Sequence, residues 1–524
     1  MLLLQANTTD LFSVRDLTLI APELILTVAA CVALVMEVVL PYRRSRWTGY
    51  FALVGLALAG ASLFALWRTA GASFPLDGFY GMIRVDGFAV VFKLIFLVAA
   101  ALTVGVSLRF LDVEGEQRGE FYALVLFATL GMSFLASGYD LIALYISLEL
   151  MALTFYVLVA YTKRQRRTNE AGMKYFLLGA FSSGVLLYGM SMLFGIAGST
   201  NLGDIASAVN SIVSVAPGAD EAALAEQIRP LLLVGMIALA AGLFFKIAAV
   251  PFHMWAPDAY EGAPTPVTAF LSTGSKAASF ALFARIFLEG LGGMRVDWAP
   301  LLAVVAAVTI AVGNWAAVTQ TNSKRLLAYS SISNAGYLLL GLIAANEYGY
   351  LGLVIYLLVY ALMNVGAFGV IIALRRRGVI GDQISDLRGL GQKAPGMAAM
   401  MTVFMLSLGG LPLTGGFIGK WFLFGGLLQR GAADQKNWYY WLAVWAIVNT
   451  VVSFAYYFLF IRSMYLDDGA ADARPLALSA PLRVALAAAV AGILFIGVYP
   501  QPFIRLARTV VTTLASVGGS AGAG

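Results

Sequence analysis

The sequence predicts an all-α polytopic membrane protein, and three observations lead to that prediction. Hydrophobic residues make up 60% of the 524 residues and charged residues only 12%, whereas a soluble domain carries roughly 25% charged residues. The mean hydropathy is +0.85. Apolar runs of about twenty residues, each long enough to cross ~30 Å of hydrocarbon, recur along the chain. This pattern excludes a water-soluble globule, and we expect a single membrane domain over residues 1–524.

Apolar runs bounded by turn signals predict about fourteen transmembrane helices. The first run is too long for the core of a signal peptide and no A-x-A-like site follows it, so we expect it to remain as a spanning helix. The predicted spans cover residues 17–40, 48–67, 87–110, 121–138, 140–161, 171–197, 229–260, 266–289, 298–318, 325–345, 350–374, 396–428, 438–463 and 478–499.

Clusters of basic residues predict the orientation of these spans. The clusters follow spans 1, 5, 9 and 11, and they are Arg43–Arg44–Arg46, Lys163 to Arg167, Lys324–Arg325 and Arg375–Arg376–Arg377. Because all of these spans are odd-numbered, the clusters fall on one side, which the positive-inside rule makes cytoplasmic. An even number of spans then places both termini outside. The loop after span 6 also falls outside, and its acidic residues are Asp204, Asp220, Glu221 and Glu226.

Two predicted spans contain residues that break helices. Span 229–260 contains Pro251 and Pro257; span 396–428 contains Gly409–Gly410, Pro412 and Gly415–Gly416. A break at membrane depth is tolerated only where it faces protein or water. The two broken spans are separated by an odd number of positions, five, which gives them opposite directions through the membrane. Broken helices at matching places in inverted halves indicate the ion path of a transporter fold.

This offset predicts four parts in the chain. We expect three N-terminal helices (17–110), a first five-helix repeat of spans 4–8 (121–289), an inverted repeat of spans 9–13 (298–463), and a C-terminal helix with its tail (478–524). Each repeat contains one broken helix. The charged residues near the two breaks are therefore the first candidates for ion chemistry.

Glu149 and Lys246 are the first two candidates. Glu149 is the only charged residue between Asp140 and Lys163, and an acid or base at a helix centre costs ~2.5–3.5 kcal/mol. Lys246 precedes Pro251 at the first break. Burial disfavours a charged lysine and a carboxylate favours it, so a Glu149–Lys246 pair that opens and closes would switch the lysine between its two forms. The alternatives are a structural acid and a lysine that snorkels to the interface.

Three further lysines lie in predicted spans. Lys276 is near the centre of span 8 and shares a helical face with serines that either hold a water chain or favour close helix packing. Lys420 follows the second break and is either an exit-side proton carrier or a snorkelling residue. Lys174 lies near the inner start of span 6 and is either a relay residue or a snorkelling residue. The serines of the face are Ser272, Ser275 and Ser279.

Other polar residues in the spans allow two interpretations each. His253, the single histidine, is either a proton shuttle, because imidazole titrates near neutral pH, or a structural group beside a proline. A polar stretch in span 10 either connects half-channels or packs as ordinary polar surface; it comprises Tyr329, Ser330, Ser331, Ser333, Asn334 and Tyr337. One cysteine, Cys31, provides neither a disulfide framework nor metal-ligand spacing. No phosphate-binding loop or GxGxxG turn is present, so nucleotide chemistry has no local support.

Five segments resemble the antiporter-like membrane subunits of respiratory complex I. They are SLELMAL around Glu149, AGMKYFLLGAFSSG around Lys174, FFKIAAVPFHMWAPDAYEGAPTPVTAFLSTGSKAA from Phe244, NSKRLLAYSSISNAGY from Asn322 and LPLTGGFIGKWFLF from Leu411. Together they extend over roughly residues 120–465. Within that family, a lysine at 420, Leu148 before Glu149 and no C-terminal lateral helix are typical of the N-type subunits.

The resemblance implies a fourteen-helix fold with two inverted five-helix halves, and it implies proton translocation. It assigns Glu149 and Lys246 as a coupled pair, Lys276 as the central relay and Lys420 as the terminal carrier. Lys174 would be an ancillary relay. In the family, other subunits transfer electrons from NADH to quinone. FMN, iron–sulfur clusters and quinone are therefore expected in partner subunits, and no cofactor or metal is expected in this chain.

The resemblance also implies partners and a location. The partners would be protons, the lipid bilayer and other complex I membrane subunits, with the K and M types adjacent, in a bacterial inner membrane. Nucleic acid is not expected, because the basic residues lack interleaved aromatic residues. Two other functions stay open at this point. The chain could be a subunit of a multisubunit Na⁺/H⁺ antiporter or membrane-bound hydrogenase, or it could be a passive scaffold for neighbouring subunits.

Overall fold

A computed structural model describes residues 14–41, 45–215, 222–375, 381–467 and 478–519. Regular structure in these ranges is helical except for a short antiparallel hairpin, in which Leu76–Gly78 (β1) pairs with Ile83–Val85 (β2). The all-α polytopic class is confirmed. Several residues of the predicted charge clusters lie outside the described ranges, namely Arg43, Arg44, Asp220, Glu221, Arg376 and Arg377.

Twelve described helices are long and apolar enough to cross a membrane. They are α2 (Ala21–Val39), α3 (Arg46–Ala70), α4 (Gly87–Glu114), α5 (Gly119–Ser137), α6 (Leu141–Val159), α7 (Arg166–Ala197), α9 (Ala222–Ile247), α13 (Arg295–Val318), α14 (Ser323–Ala344), α15 (Glu347–Leu374), α19 (Trp438–Tyr465) and α20 (Ala480–Val498).

The remaining helices are shorter, segmented or terminal. They are α1 (Val14–Leu19), α8 (Leu202–Val213), α10 (Trp255–Gly262), α11 (Thr265–Phe270), α12 (Lys276–Ala284), α16 (Leu390–Lys393), α17 (Pro395–Gly409), α18 (Gly415–Asp434) and α21 (Gln501–Gly519). Short 3₁₀ turns cover Gly71–Ser73, Gly292–Met294 and Ile384–Leu387.

Two predicted spans, 266–289 and 396–428, correspond to segmented helices. In the first, the π-helical turn Leu271–Ser275 joins α11 to α12, and a second π-helical turn, Arg285–Gly290, extends α12, so the whole stretch is uninterrupted. In the second, α17 and α18 are separated by a short link. Every predicted span thus has a helical counterpart in the described ranges, but the count of fourteen membrane crossings stays a prediction.

Both predicted helix breaks are present. α9 ends at Ile247 and α10 begins at Trp255, and Ala248 between them has a φ of 59°. Pro257 does not contribute to this break, contrary to the prediction. It lies in the first turn of α10, where a backbone N–H would have no helical acceptor and proline is tolerated. The second break begins at Gly410, whose φ of 82° is a left-handed conformation that glycine adopts without strain.

Contacts between loops show which helix ends lie together at each of the two ends of the fold. At one end, Ile83 of β2 bridges to Gly138, and Asp140 bridges to Asn201. At the other end, ion pairs join the basic clusters to acidic partners. These pairs are Arg167–Glu261, Arg325–Glu261 and Arg375–Glu114. The cluster residues Arg167, Arg325 and Arg375 therefore share one end, which we call the basic end. That this end faces the cytoplasm stays a prediction.

Helices α14 and α15 form the interior of the fold, and both are buried over almost their whole length. α15 contacts both α17 and α18, the two halves of the second broken helix. In the same way, α7 contacts both α9 and α10, the halves of the first. This correspondence supports the two-repeat organisation, whose exact division remains a prediction.

Close approach of α15 and α18 depends on glycine. A Cβ atom at Gly352 would lie 2.6 Å from the backbone nitrogen of Leu423. Small residues at helix contacts permit such packing in membranes, where dispersion contacts hold helices together.

We expect Gly352→Ala to destabilise the protein by about 1–3 kcal/mol, because the added methyl group overpacks this contact. The measurement is the thermal unfolding midpoint of the purified complex. Gly184→Ala on α7 is the matched control, since a Cβ atom there meets nothing within 4 Å. Equal midpoints for the two variants would contradict the tight contact.

Candidate functional site

Lys246 lies in the last turn of α9, at the first break. The final carbonyls of a helix have no partner within the helix and carry partial negative charge, which favours a cation at this place. The side chain is only 8% exposed. Its Nζ donates a hydrogen bond to Ser183 Oγ of α7 at 2.9 Å. The sequence thus buries a lysine beside a break with a neutral hydroxyl as its acceptor.

Glu149 lies near Lys246 without forming an ion pair with it. The two side chains interact electrostatically, but no N–O contact within 4.0 Å joins them. Glu149 Oε1 is buried and has no hydrogen-bond partner among the described residues. The two side chains are therefore not bonded to each other in this structure, and the coupled pair stays a prediction.

Lys276 directly follows the π-helical turn Leu271–Ser275, a distortion that is frequent at functional sites. The side chain is 2% exposed. Its Nζ donates to both the carbonyl oxygen and the hydroxyl of Ser331, at 2.5 and 2.6 Å. On the predicted serine face, Ser272 Oγ accepts a hydrogen bond from Asn364 Nδ2 at 2.7 Å. Lys276 is therefore held at the junction of α12, α14 and α15.

Lys420 lies in the second turn of α18 and is 3% exposed. Its Nζ donates to the carbonyl oxygen of Leu408 at 3.0 Å and lies 3.5 Å from that of Gly409. Both oxygens belong to the last turn of α17, which the break leaves without helical donors. The ammonium also lies 4.8 Å from the ring centroid of Tyr337. Lys420 therefore does not snorkel within this chain; it binds the broken end of the neighbouring helix.

The polar stretch of α14 lies between Lys276 and Lys420. At one end, Ser331 accepts the hydrogen bonds of Lys276. In the middle, Tyr356 Oη donates to Asn334 Oδ1 at 2.6 Å. At the other end, Tyr337 faces Lys420 and accepts a hydrogen bond from Thr450 at 3.2 Å. The stretch thus contacts both lysines, and its role as a connection between half-channels stays a prediction.

Sequence reasoning missed the partners of this stretch. Ser330 Oγ and Tyr457 Oη are 2.5 Å apart, and Tyr456 Oη donates to Asn314 Oδ1 at 2.9 Å. The missed residues are Asn314 on α13, Tyr356, Tyr360 and Asn364 on α15, and Asn449, Tyr456 and Tyr457 on α19. A usable signal existed on α15, because Tyr356, Tyr360 and Asn364 are spaced four apart, share one face and are the only polar residues after the first turn of this helix.

Lys174 and His253 lie away from this buried row. Lys174 is 45% exposed and forms ion pairs with Glu170 at 2.8 Å and Asp258 at 3.0 Å. Asp258 also pairs with Arg325 at 3.0 Å, so these charges join α7, α10 and α14 at the basic end. The half-buried His253 lies in the link between α9 and α10. Among the described residues, its ring has no hydrogen bond to Lys246 or Lys276, and the roles of Lys174 and His253 stay predictions.

A metal site has no support in the described ranges, where no group of three or more His, Cys, Asp and Glu side chains could hold an ion. The polar groups that the described site contains are lysines, a carboxylate and hydroxyl groups. These groups hold and exchange protons.

The broken helices and the row of buried lysines define an antiporter-like membrane protein. The family described as "NADH:quinone oxidoreductase/Mrp antiporter, TM" matches residues 138–453, and the chain belongs to it. NADH-quinone oxidoreductase subunit N 2 of Solibacter usitatus is 48% identical, over 96% of this chain and 98% of the relative. Subunit N of Trichlorobacter lovleyi is 41% identical, over 96% and 99%. Within the family, the chain groups with the N subunits of NADH-quinone oxidoreductase.

Solved structures agree with this assignment. A chain of respiratory complex I from Thermus thermophilus with bound aureothin has 35% identity and a TM-score of 0.74, with 92% of this chain and 98% of that chain covered. An archaeal membrane-bound sulfane sulfur reductase has 25% identity and a TM-score of 0.80, with 97% and 99% covered. The Mrp complex from Dietzia has a TM-score of 0.79 at 21% identity over 95% and 97%, a likeness of fold alone.

We expect Gly410→Ala to destabilise the second break, because an L-residue in the left-handed region costs roughly 1–2 kcal/mol. The new methyl group would also lie 3.0 Å from Lys420 Cδ. The thermal unfolding midpoint of the purified complex measures the effect. Gly396→Ala is the control, because a Cβ atom there has nothing within 4 Å. A midpoint for Gly410→Ala equal to that of the control would show that the break needs no glycine.

Proposed function

We propose that this chain translocates protons as a membrane-arm subunit of an NADH–quinone oxidoreductase. Electrons pass from NADH to quinone in other subunits, which hold the FMN, the iron–sulfur clusters and the quinone. The observation that carries the proposal is the buried row of Lys246, Lys276 and Lys420. Three lysines at bilayer depth are too costly to be retained for packing alone.

The relay begins at Glu149 and Lys246. Burial disfavours the charged form of a lysine, while a nearby carboxylate favours it. When Glu149 approaches, Lys246 holds its proton. When the two are separated and Ser183 is the acceptor, the proton is more easily given up. A change in the position of Glu149 therefore controls whether Lys246 gives or takes a proton.

The proton then passes from Lys276 along α14 to Lys420. Serine and tyrosine hydroxyl groups both donate and accept hydrogen bonds. Asparagine side chains do not titrate, but their hydrogen bonds orient neighbouring groups and water. Ser331 and Tyr337 contact the two lysines, and Asn334 with Tyr356 lies between them. A hydroxyl contact at Lys276 and an aromatic-ring contact at Lys420 thus flank a buried polar segment. Water molecules would complete the path through it.

The driving energy must come from outside this chain. Moving one charge against a membrane potential of ~100 mV costs about 2.3 kcal/mol, and the described residues include no redox group. We place the chain in a bacterial inner membrane, beside K- and M-type subunits, with both termini on the outer side. Coverage of nearly the whole length of a complex I chain supports an assembled role.

We expect Lys246→Ala to lower proton pumping and NADH–quinone turnover together by at least about tenfold, since it removes a positioned proton-transfer group. Both rates are measured in membranes after a native gel has verified assembly of the complex. Lys436→Ala, at an exposed lysine, is the control and should keep both rates. Normal pumping by an intact Lys246→Ala complex would favour the passive scaffold instead.

We expect Tyr356→Phe to lower turnover severalfold while the unfolding midpoint changes little. The substitution keeps the ring and removes only the hydroxyl that donates to Asn334. Tyr348→Phe on the same helix is the control, because its ring packs on Phe422 outside the polar row. Equal turnover in the two variants would exclude Tyr356 from the relay.

A further inference from the structure

A second group of buried charges lies at the end of the fold opposite the basic end. Arg285 and Glu289 belong to the π-helical turn Arg285–Gly290, and Asp86 is the N-cap residue of α4. Their exposed fractions are 0% for Arg285, 2% for Glu289 and 0% for Asp86. We call these three residues the Asp–Arg–Glu triad. It is no part of the lysine row.

Every nitrogen of the Arg285 guanidinium is engaged. Nε and Nη2 donate to the carbonyl oxygen of Ala136 at 3.2 and 3.0 Å. Nη2 also donates to Asp86 Oδ1 at 2.9 Å, and Nη1 donates to Glu289 Oε1 at 2.6 Å and lies 2.9 Å from Asp86 Oδ2. Asp86 Oδ1 in addition accepts the backbone N–H of Ala89 at 2.7 Å.

The triad contains two carboxyl groups and one guanidinium. If both carboxyl groups were ionised, the triad would carry one unbalanced negative charge in a fully buried place. Two carboxylates that share a site do not both stay ionised, and a buried unpaired charge is removed by taking up a proton. The triad should therefore hold one proton.

Glu289 is the better place for that proton. Asp86 contacts two guanidinium nitrogens and sits at the positive end of α4, which stabilises its anion. Glu289 contacts a single guanidinium nitrogen, and its Oε2 is buried without a hydrogen-bond partner among the described residues. An anion there would have one oxygen without any donor.

We propose that the Asp–Arg–Glu triad is a second protonation site, which binds one exchangeable proton on Glu289 and releases it at the end opposite the basic clusters. The inference rests on the proposed function. Lys276 and Glu289 lie on the same uninterrupted helical stretch, about 20 Å apart along its axis. Release breaks the O–H bond of Glu289, the proton goes to water, and a proton from the Lys276 side restores the neutral acid.

Neighbouring charges leave this proton count unchanged. Arg84 of β2 lies 3.5 Å from the ring centroid of Tyr139 and pairs with Asp77 at 2.7 Å. Of the other elements packed on the π turn, α8 carries Asp204, which is hydrogen-bonded to Ser199. α21 carries Arg508, which pairs with Glu347 at 3.5 Å, and the exposed Arg505. Among the described residues, none of these charges forms an ion pair with the triad.

An apolar segment separates Lys276 from the triad. Phe280 and Phe283 on α12 are both fully buried, and the rings of Phe283 and Phe287 are 4.6 Å apart. Protons cross such a segment only when water enters it. Transfer to the triad would therefore be intermittent.

The test uses Glu289→Gln and Asp86→Asn in the assembled complex. Each single variant leaves one neutral Arg285–carboxylate pair, so each should assemble on a native gel, whereas the double variant leaves Arg285 unpaired and should not. We expect protons pumped per NADH oxidised to fall at least twofold in each single variant. The carboxylic acid infrared band of the purified complex should lose one component in Glu289→Gln. Glu226→Gln, at an exposed carboxylate of α9, should change neither reading.

Normal pumping in the assembled single variants, or an unchanged infrared band in Glu289→Gln, would overturn the inference. If only one of the two single variants assembles, the number of protons pumped per NADH oxidised by that variant decides whether the inference stands. If neither assembles, both carboxylates are required as anions, which also overturns it. Lys276→Met, measured in parallel, separates the two proposals. Normal pumping in Lys276→Met would refute the lysine relay, whereas its loss together with normal pumping in the triad variants would refute the second site alone.

Discussion

The fold depends on one constraint: every backbone polar group at bilayer depth must find its partner inside the protein. Helices satisfy their own backbone, but a break exposes carbonyl oxygens that need new donors. At the second break, Lys420 supplies that donor, so one contact completes the backbone and stabilises a buried cation. At the first break, the terminal carbonyls of α9 favour the cation of Lys246, while a serine of α7 accepts its hydrogen bond. Each break therefore creates a polar place in which a lysine can be buried. At the second break, the lysine in turn supplies the hydrogen-bond donor that the free carbonyl oxygen needs.

Much of this arrangement could be predicted from local sequence. Long apolar runs define the helices, and proline and glycine mark both breaks, because these residues act through their own backbone. Pro257 shows the limit of such reasoning. A proline ends a helix or begins one depending on its position relative to the first turn, and here α10 starts two residues before it. Neighbouring residues alone do not fix that position.

Contacts between distant spans could not be predicted in this way. Arg285 and Asp86 are separated by 199 residues, and a buried ion pair of 2.6 Å joins Glu23 of α2 to Lys93 of α4. An isolated charge in an apolar run shows that a partner must exist, but which helix supplies it follows only from packing. Tyr457 could not be predicted for the same reason, because its contact with Ser330 depends on how α19 packs against α14.

The two carboxylates of greatest interest differ in what can act on them. Glu289 is sealed inside the chain, so only protons and water reach it. Glu149 is partly exposed, on a face of α6 whose other residues are exposed and apolar: Ile142, Ile146, Leu153 and Val157. In a medium of low dielectric constant a charge is felt over long distances. If an adjacent subunit covers this face, a charge that moves within that subunit would act on Glu149 through the electric field, without passing a proton or a ligand to it.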